Sequence, residues 1–110
     1  MNKSELENLQ NELSKFAEER NWEQFHTPKN LAMALAGEVG ELLAEFQWMT
    51  AEESMDAMSS QSASAIQFEV ADVFLYLTRL AYILEIDLFA AAKEKMAVNA
   101  EKYPPNHLNK

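Results

Sequence analysis

Apolar residues return every three or four positions along most of the chain, which is the period of an amphipathic helix. The first helical segment begins at a capping box formed by Ser4 and Glu7, and it is predicted to run to about Arg20. Residues 1–3, which precede this cap, are predicted to form a frayed tail.

A second helix is predicted after a connector rich in aromatic residues, Asn21 to Pro28. Thr27 is a typical N-cap, and Pro28 fits the first helical turn, where its missing N–H has no partner to lose. This helix is predicted to continue to Met49. Thr50 and Glu53 form another capping box, which predicts a short helix directly afterwards.

The second half of the chain contains two more long segments with helical spacing. A loop of small polar residues, 59–64, leads into a third long helix predicted from about Ala63 to Glu85. Asp87 caps a fourth, which must end before Pro104 because a proline disfavours the helical conformation of the residue before it. Residues 106–110 are predicted to be a second frayed tail.

Length and composition indicate a single all-α domain over residues 1–110. A chain of 110 residues is the size of one domain, and two glycines and three prolines leave little material for turns. Hydrophobic residues make up 48% of the chain, which is at the upper end of ordinary usage. We expect a domain this small and apolar to hide part of that surface in a subunit interface.

The net charge of −9 argues against partners with an anionic surface, so we expect neither nucleic acid nor membrane binding. A phosphate ligand would have to bring its own cations. Cysteine is absent, which excludes disulfides and thiolate metal sites. The N-terminus has no apolar signal core and no stretch could span a bilayer, so the cytoplasm is the expected location.

Two pairs of acidic residues lie on helical faces that are otherwise apolar. Glu38 and Glu41 share such a face on the second helix, with Glu45 at its rim, and Glu69 and Asp72 share one on the third long helix. Isolated carboxylates are costly to bury unless they protonate or find cations. If the two faces meet, four carboxylates converge, and oxygen ligands favour Mg²⁺, Mn²⁺ or Ca²⁺ over zinc.

Two other protein classes could produce the same pattern. A single pair of acids three residues apart is usually a solvated face, so a non-catalytic acidic adaptor that folds by dimerising is the main alternative. A ferritin-like di-iron bundle would need glutamate three residues before a histidine, which neither histidine has. Stability that depends on a metal ion would separate the enzyme from the adaptor.

Polar and aromatic residues elsewhere could complete a nucleotide site. Lys95, Asn99 and Lys102 share one face of the fourth helix and could hold phosphate oxygens, although, taken alone, an ordinary solvated face explains them better. Trp22 and Trp48 could stack on a base, although large aromatic side chains more often serve in packing.

Three segments together resemble the MazG-like nucleoside triphosphate pyrophosphohydrolases, and in particular their compact dCTP pyrophosphatase branch. These segments are NWEQFHTPKNLAMALAGEVGELLAEFQW, EVADVFLYLTRLA and KMAVNAEKYP. The family pattern of ExxE, a spacer and ExxD is matched by the two acid pairs. The resemblance implies an all-α four-helix-bundle fold completed by dimerisation, as a homodimer or homotetramer.

The resemblance also implies a reaction, which is the Mg²⁺-dependent hydrolysis of a (deoxy)nucleoside triphosphate, first of all a dCTP-like one, to a monophosphate and pyrophosphate. Mn²⁺ is a possible substitute for Mg²⁺. The implied metal ligands are Glu38, Glu41, Glu69 and Asp72, of which Glu41 and Glu38 are the candidate catalytic residues.

The resemblance further implies which residues contact the nucleotide. Phosphate contacts are implied for Lys95, Asn99, Lys102 and Tyr103, and base and sugar contacts for Trp22, Trp48 and Tyr76. Two positions depart from the family pattern. Lys102 stands where relatives often have arginine, and Leu13 stands where some relatives have a histidine near the base.

Overall fold

The structure, a computed structural model, describes residues 2–105. The helices in this range are α1 Lys3–Glu19, α2 Pro28–Phe46, α3 Ala51–Met55, α4 Ala63–Ile83 and α5 Leu88–Lys102. Two short 3₁₀ turns, Glu23–Phe25 and Ala57–Ser59, precede α2 and α4. The described residues form no strand, and the all-α prediction is confirmed.

Three helix starts lie where the sequence places them, because their caps are local interactions. The Thr27 hydroxyl accepts a hydrogen bond from the backbone of the first turn of α2. Thr50 and Glu53 form the full reciprocal capping box of α3, with distances of 2.8 and 3.1 Å. The Asp87 carboxylate accepts from the Ala90 N–H at 3.0 Å and so caps α5.

The predicted capping box at Ser4 and Glu7 is wrong. The cap of α1 is Asn2, whose side-chain oxygen accepts a hydrogen bond from the Glu5 N–H at 2.8 Å. Asparagine is as good an N-cap as serine, and it lies earlier in the chain, so the helix begins at Lys3. Asn2 and Lys3 are therefore the cap and first residue of α1, although the sequence suggested a tail there.

The end of α2 is also earlier than predicted, at Phe46 and not at Met49. Thr50 has an extended backbone, because it must cap α3, and residues 47–49 form the turn that leads to it. The N–H of Met49 donates to the carbonyl of Phe46 at 3.0 Å, which closes this turn. The predicted tail at 106–110 lies outside the described residues.

The core forms where α4 packs mainly against α2, with a smaller contact between α1 and the C-terminal half of α4. The buried residues of α4 include Ile66 and Ala81, while α2 contributes Leu31 and α1 contributes Leu6 and Ala17. A helix that contacts neighbours on several sides must be apolar nearly all round, as the sequence of α4 is. This packing places the acidic faces of α2 and α4 against each other.

The last helix stands away from this core. Leu88 and Phe89 at its start are half-buried, whereas every residue from 90 to 105 is exposed. Among the described residues, no helix is long and apolar enough to cross a membrane.

Candidate metal and nucleotide site

Carboxylates of α2 and α4 meet in the middle of the helix pair. The two helices run antiparallel here, since Glu38 is close to Asp72 while Glu45 is close to Glu69. Glu38, Glu41 and Glu69 each offer one oxygen, and these three oxygens all lie within 4.8 Å of one another. Acids that are far apart in sequence therefore form one cluster; Asp72 is not one of these three ligands, but its charge lies close enough to act on Glu38 and Glu69.

Crowding of negative charge raises pKa values within this cluster. Burial, contact with the Glu41 carboxyl, and repulsion from Glu41, Asp72 and Glu69 raise the pKa of Glu38 from 4.5 to about 7. The pKa of Glu69 is raised as well, first by burial and then by Glu41, Asp72 and Glu45. A cation between the carboxylates would offset the repulsion between their negative charges.

The residues present fit a divalent metal ion. The Oε2 atom of Glu38 is buried, and it has no hydrogen-bond partner among the described residues. A buried carboxylate oxygen without a donor is unfavourable, because nothing replaces the water it has lost. An all-oxygen donor set on two rigid helices suits hard cations. The acidic cluster could thus hold a metal.

A cavity of about 290 Å³ adjoins the acids, between α1, the connector and α4. Its lining includes Leu13, Phe16, Trp22, Asp72, Tyr76 and Arg79. Asp72 borders this cavity and also repels Glu38 and Glu69 of the acidic cluster. A ligand in the cavity would consequently extend towards the carboxylates.

Aromatic rings form the outer wall of the cavity. Trp22 packs edge-on against Phe16 with 5.6 Å between ring centroids, and the Arg20 guanidinium covers Phe16 at 3.5 Å. Trp22 remains 44% exposed, so a planar group can still reach it. Tyr76 is half-buried in the same wall. The structure thus places Trp22 and Tyr76 on one cavity, while their contacts with a base and a sugar stay a prediction.

Other predicted substrate contacts lie apart from the cavity within a single chain. Trp48 is 89% exposed and does not line the cavity, so the described residues of one chain form no slot between Trp22 and Trp48. The predicted phosphate contacts of α5 lie on its exposed surface: Lys95, Asn99, Lys102 and Tyr103. Their role stays a prediction.

Sequence reasoning missed Arg79, which is only 6% exposed at the cavity wall. Its Nε donates to Nδ1 of His26 at 3.1 Å, and its Nη1 donates to the Ser14 hydroxyl at 2.8 Å. Burial and the neighbouring Arg79 cation lower the pKa of His26, so this imidazole is neutral and can accept. The available signal was that Arg79 is the only cation in the sequence of α4.

The comparisons with known proteins agree with this geometry. The sequence model of the MazG-like family matches residues 33–110, which include the whole acidic cluster. The chain belongs to the MazG-like family. It is 45% identical over 100 residues to dCTP pyrophosphatase 1 of Homo sapiens and of Rattus norvegicus, an alignment covering 90% of this chain. The chain spans 59% of the length of these curated relatives.

A solved structure extends the likeness to three dimensions. The crystal structure of a pyrophosphatase from Archaeoglobus fulgidus DSM 4304 superposes with a TM-score of 0.84 and 39% sequence identity. The match covers 91% of this chain and 93% of that one. The all-α MazG-like fold expected from the resemblance is therefore confirmed.

Proposed function

We propose that the protein hydrolyses a (deoxy)nucleoside triphosphate, with dCTP as the first choice, to a nucleoside monophosphate and pyrophosphate. The observation that carries this proposal is the cluster of Glu38, Glu41 and Glu69 beside an aromatic cavity, with Asp72 adjoining both. The names of the relatives support it, since they are dCTP pyrophosphatases and a pyrophosphatase.

The geometry supports one orientation of the substrate. The base and sugar would occupy the cavity against Trp22 and Tyr76, where flat apolar surface is available for stacking. The triphosphate would then point past Asp72 towards the carboxylates. In this orientation the α-phosphate comes first and the β- and γ-phosphates lie beyond it.

The carboxylates would bind Mg²⁺, with Mn²⁺ as a substitute, through Glu38, Glu41, Glu69 and Asp72. When bound, Mg²⁺ supplies the positive charge that a triphosphate needs beside a cluster of carboxylates. Glu41 is exposed, so its carboxylate can reach an incoming water and accept its proton. Glu38 is half-buried beside it, with its Oε2 atom buried, and would hold the metal ligands in place from within the helix pair.

The complete site would use more than one copy of the chain. Lys95, Asn99 and Lys102 of α5, together with Tyr103 directly after it, would supply donors for the phosphates, but in one chain they are exposed and outside the cavity. Trp48 is displaced from Trp22 in the same way. A neighbouring subunit could bring such residues to the acids.

Exposed apolar surface supports a homodimer or homotetramer. A monomer of this size exposes about 6,200 Å², whereas this chain exposes 8579 Å². Its radius of gyration is 16.9 Å, and a compact chain of this length has about 13 Å. Large apolar side chains such as Met33, Leu43 and Phe68 are more than half exposed. Such a surface is typical of obligate interfaces.

We therefore expect the protein to sediment as a dimer or tetramer at micromolar concentration. The physical reason is that the excess of roughly 2,400 Å² over a compact monomer would otherwise leave core-like side chains in water. Sedimentation velocity with activity measured across the peak checks this. A stable monomer that retains full activity would rule out a shared site.

A panel of nucleoside triphosphates tests the activity itself. With Mg²⁺ present, pyrophosphate release is expected, fastest with dCTP, and removal of the metal by EDTA should abolish it because the acids then repel the substrate. Coupled detection of pyrophosphate provides the rates. No release from any triphosphate, together with a melting temperature that ignores Mg²⁺, would instead favour the non-catalytic dimerising adaptor.

A further inference from the structure

Arg79 is a buried cation without an acidic partner. Among residues 2–105, ion pairs occur at Lys3 with Asp87 and at Arg20 with Glu19, and no carboxylate lies within 4.0 Å of the Arg79 guanidinium. Its two hydrogen-bond partners, Ser14 and His26, are both neutral, and the Tyr82 ring, whose centroid lies 5.6 Å from the guanidinium, is neutral as well. Because burying an unpaired charge is unfavourable, this arrangement calls for a reason beyond packing.

The guanidinium also has unused donors at a cavity wall. Arginine carries five N–H groups in a planar fork, and the hydrogen bonds to His26 and Ser14 use two of them. Those two bonds come from α1 and from the connector, so they fix the plane of the fork. The remaining three donors belong to a group that lines the same cavity as Trp22 and Tyr76. Such a donor set is preorganised for a ligand with acceptors.

Base chemistry narrows the bases that satisfy a fork of donors to cytosine and guanine, and the proposed function selects cytosine. Two parallel N–H groups need two adjacent acceptors. Cytosine offers O2 and N3 side by side, whereas N3 of uracil and thymine is a donor between two carbonyls. Adenine has no adjacent acceptor pair, and guanine has one only at O6 and N7. Of the pyrimidines, only cytosine matches.

We propose that Arg79 is the specificity residue of the cavity and reads the adjacent O2 and N3 acceptors of a cytosine base. This inference rests on the proposed function, because it presupposes that the nucleoside occupies the cavity. The base also supplies electron-rich acceptors to a cation that lacks a counter-charge. Lysine could not replace Arg79, since a single ammonium cannot hold Ser14, His26 and two base acceptors at once.

Substrate analogues test the recognition of cytosine O2 and N3 on the unmodified protein. We expect 3-deaza-dCTP, in which N3 becomes C–H, and dUTP to lose about 10- to 100-fold in kcat/KM relative to dCTP. The 2-pyrimidinone analogue, which lacks only the 4-amino group, keeps both acceptors and should stay within about threefold of dCTP, because Arg79 does not contact that group. Equal rates for dCTP and 3-deaza-dCTP, or a preference for dGTP, would overturn the proposal.

Variants of Arg79 distinguish recognition of the base from a purely structural role. Arg79→Met and Arg79→Lys should lower kcat/KM for dCTP to the value for 3-deaza-dCTP. The value for 3-deaza-dCTP should stay nearly unchanged, so the ratio of kcat/KM for dCTP to that for 3-deaza-dCTP approaches one. A residue that only braces α1 would lower both rates equally, and that result would overturn the assignment. Thr78→Val is the matched control. Thr78 lies next to Arg79 on α4, and its hydroxyl is buried and has no hydrogen-bond partner among the described residues. The dCTP to 3-deaza-dCTP ratio of this variant should equal that of the wild type.

The result remains informative in the less favourable cases. If the Arg79 variants do not fold, as circular dichroism would show, the analogue series on the wild type decides alone. If no triphosphate is hydrolysed, the proposed function fails. If triphosphates are hydrolysed without dependence on the N3 acceptor, only the reading by Arg79 fails.

Discussion

Glu38→Gln, Glu41→Gln and Asp72→Asn are each expected to lower kcat/KM for dCTP at least about 100-fold without unfolding the protein. Each change replaces a negatively charged oxygen ligand with a neutral amide, so the cluster binds a divalent cation less tightly. Initial rates of pyrophosphate release at saturating Mg²⁺, with circular dichroism for folding, measure this. Glu12→Gln, on an exposed position of α1 outside the site, is the control and should match the wild type. Wild-type turnover in any of the three variants would remove that residue from the metal site.

When no metal is bound, the same variants should be more stable than the wild type, although they are less active. Glu38 titrates near 4.5 in an unfolded chain and at about 7 in the folded protein, so the folded state holds its proton to higher pH. Stability without metal is consequently lost as the pH rises from 4.5 through 7. Glu38→Gln cannot ionise, so melts in EDTA should show it gaining a few degrees over the wild type at pH 8 and little at pH 4.5. If Glu38→Gln melted at a lower temperature than the wild type at pH 8 in EDTA, the inferred repulsion between the carboxylates would be contradicted.

Local interactions explain which parts of the fold were predictable. The caps at Thr27, Thr50 and Asp87 act within one helical turn, so neighbouring residues suffice to place them. The cap of α1 was assigned to Ser4 and not to Asn2, because two good capping residues lie close together and only the backbone decides between them. The sequence thus predicts the existence of the helices better than their ends.

The acidic cluster was predictable for a different reason. Glu38 with Glu41, and Glu69 with Asp72, interrupt helix faces that are otherwise apolar, and such faces must pack against something. Two faces that each need a partner and each carry uncompensated acids are expected to meet. The structure brings the two pairs together, while ligation of a metal by them stays a prediction.

The environment of Arg79 could not be predicted in this way. Its partners Ser14 and His26 are 65 and 53 residues away, so they depend on how α1 and the connector align with α4. Helical periodicity gives the face of a residue and not its neighbour across a packed interface. The separation of Trp22 from Trp48 was missed for the same reason, since no local pattern fixes the distance between a connector and a helix end.

Hydrolysis in ¹⁸O-labelled water is expected to place the label in the monophosphate alone. If the acids and the α5 face hold the β- and γ-phosphates, pyrophosphate is the stabilised leaving group and the α-phosphorus is open to water. The water oxygen then bonds to the α-phosphorus, the bond from that phosphorus to the α–β bridging oxygen breaks, and the bridging oxygen leaves with pyrophosphate. Mass spectrometry of both products measures the label.

The control for this experiment is dCMP incubated with the protein in labelled water, which should take up no label and so excludes exchange after the reaction. Attack at the β-phosphorus would instead put the label in pyrophosphate. Release of dCDP and orthophosphate, with the label in orthophosphate, would mean that water attacks the γ-phosphorus. Either outcome would contradict pyrophosphate as the leaving group held by the acids and the α5 face. The position of the α-phosphorus inferred from Asp72, which borders both the cavity and the carboxylates, would then be wrong.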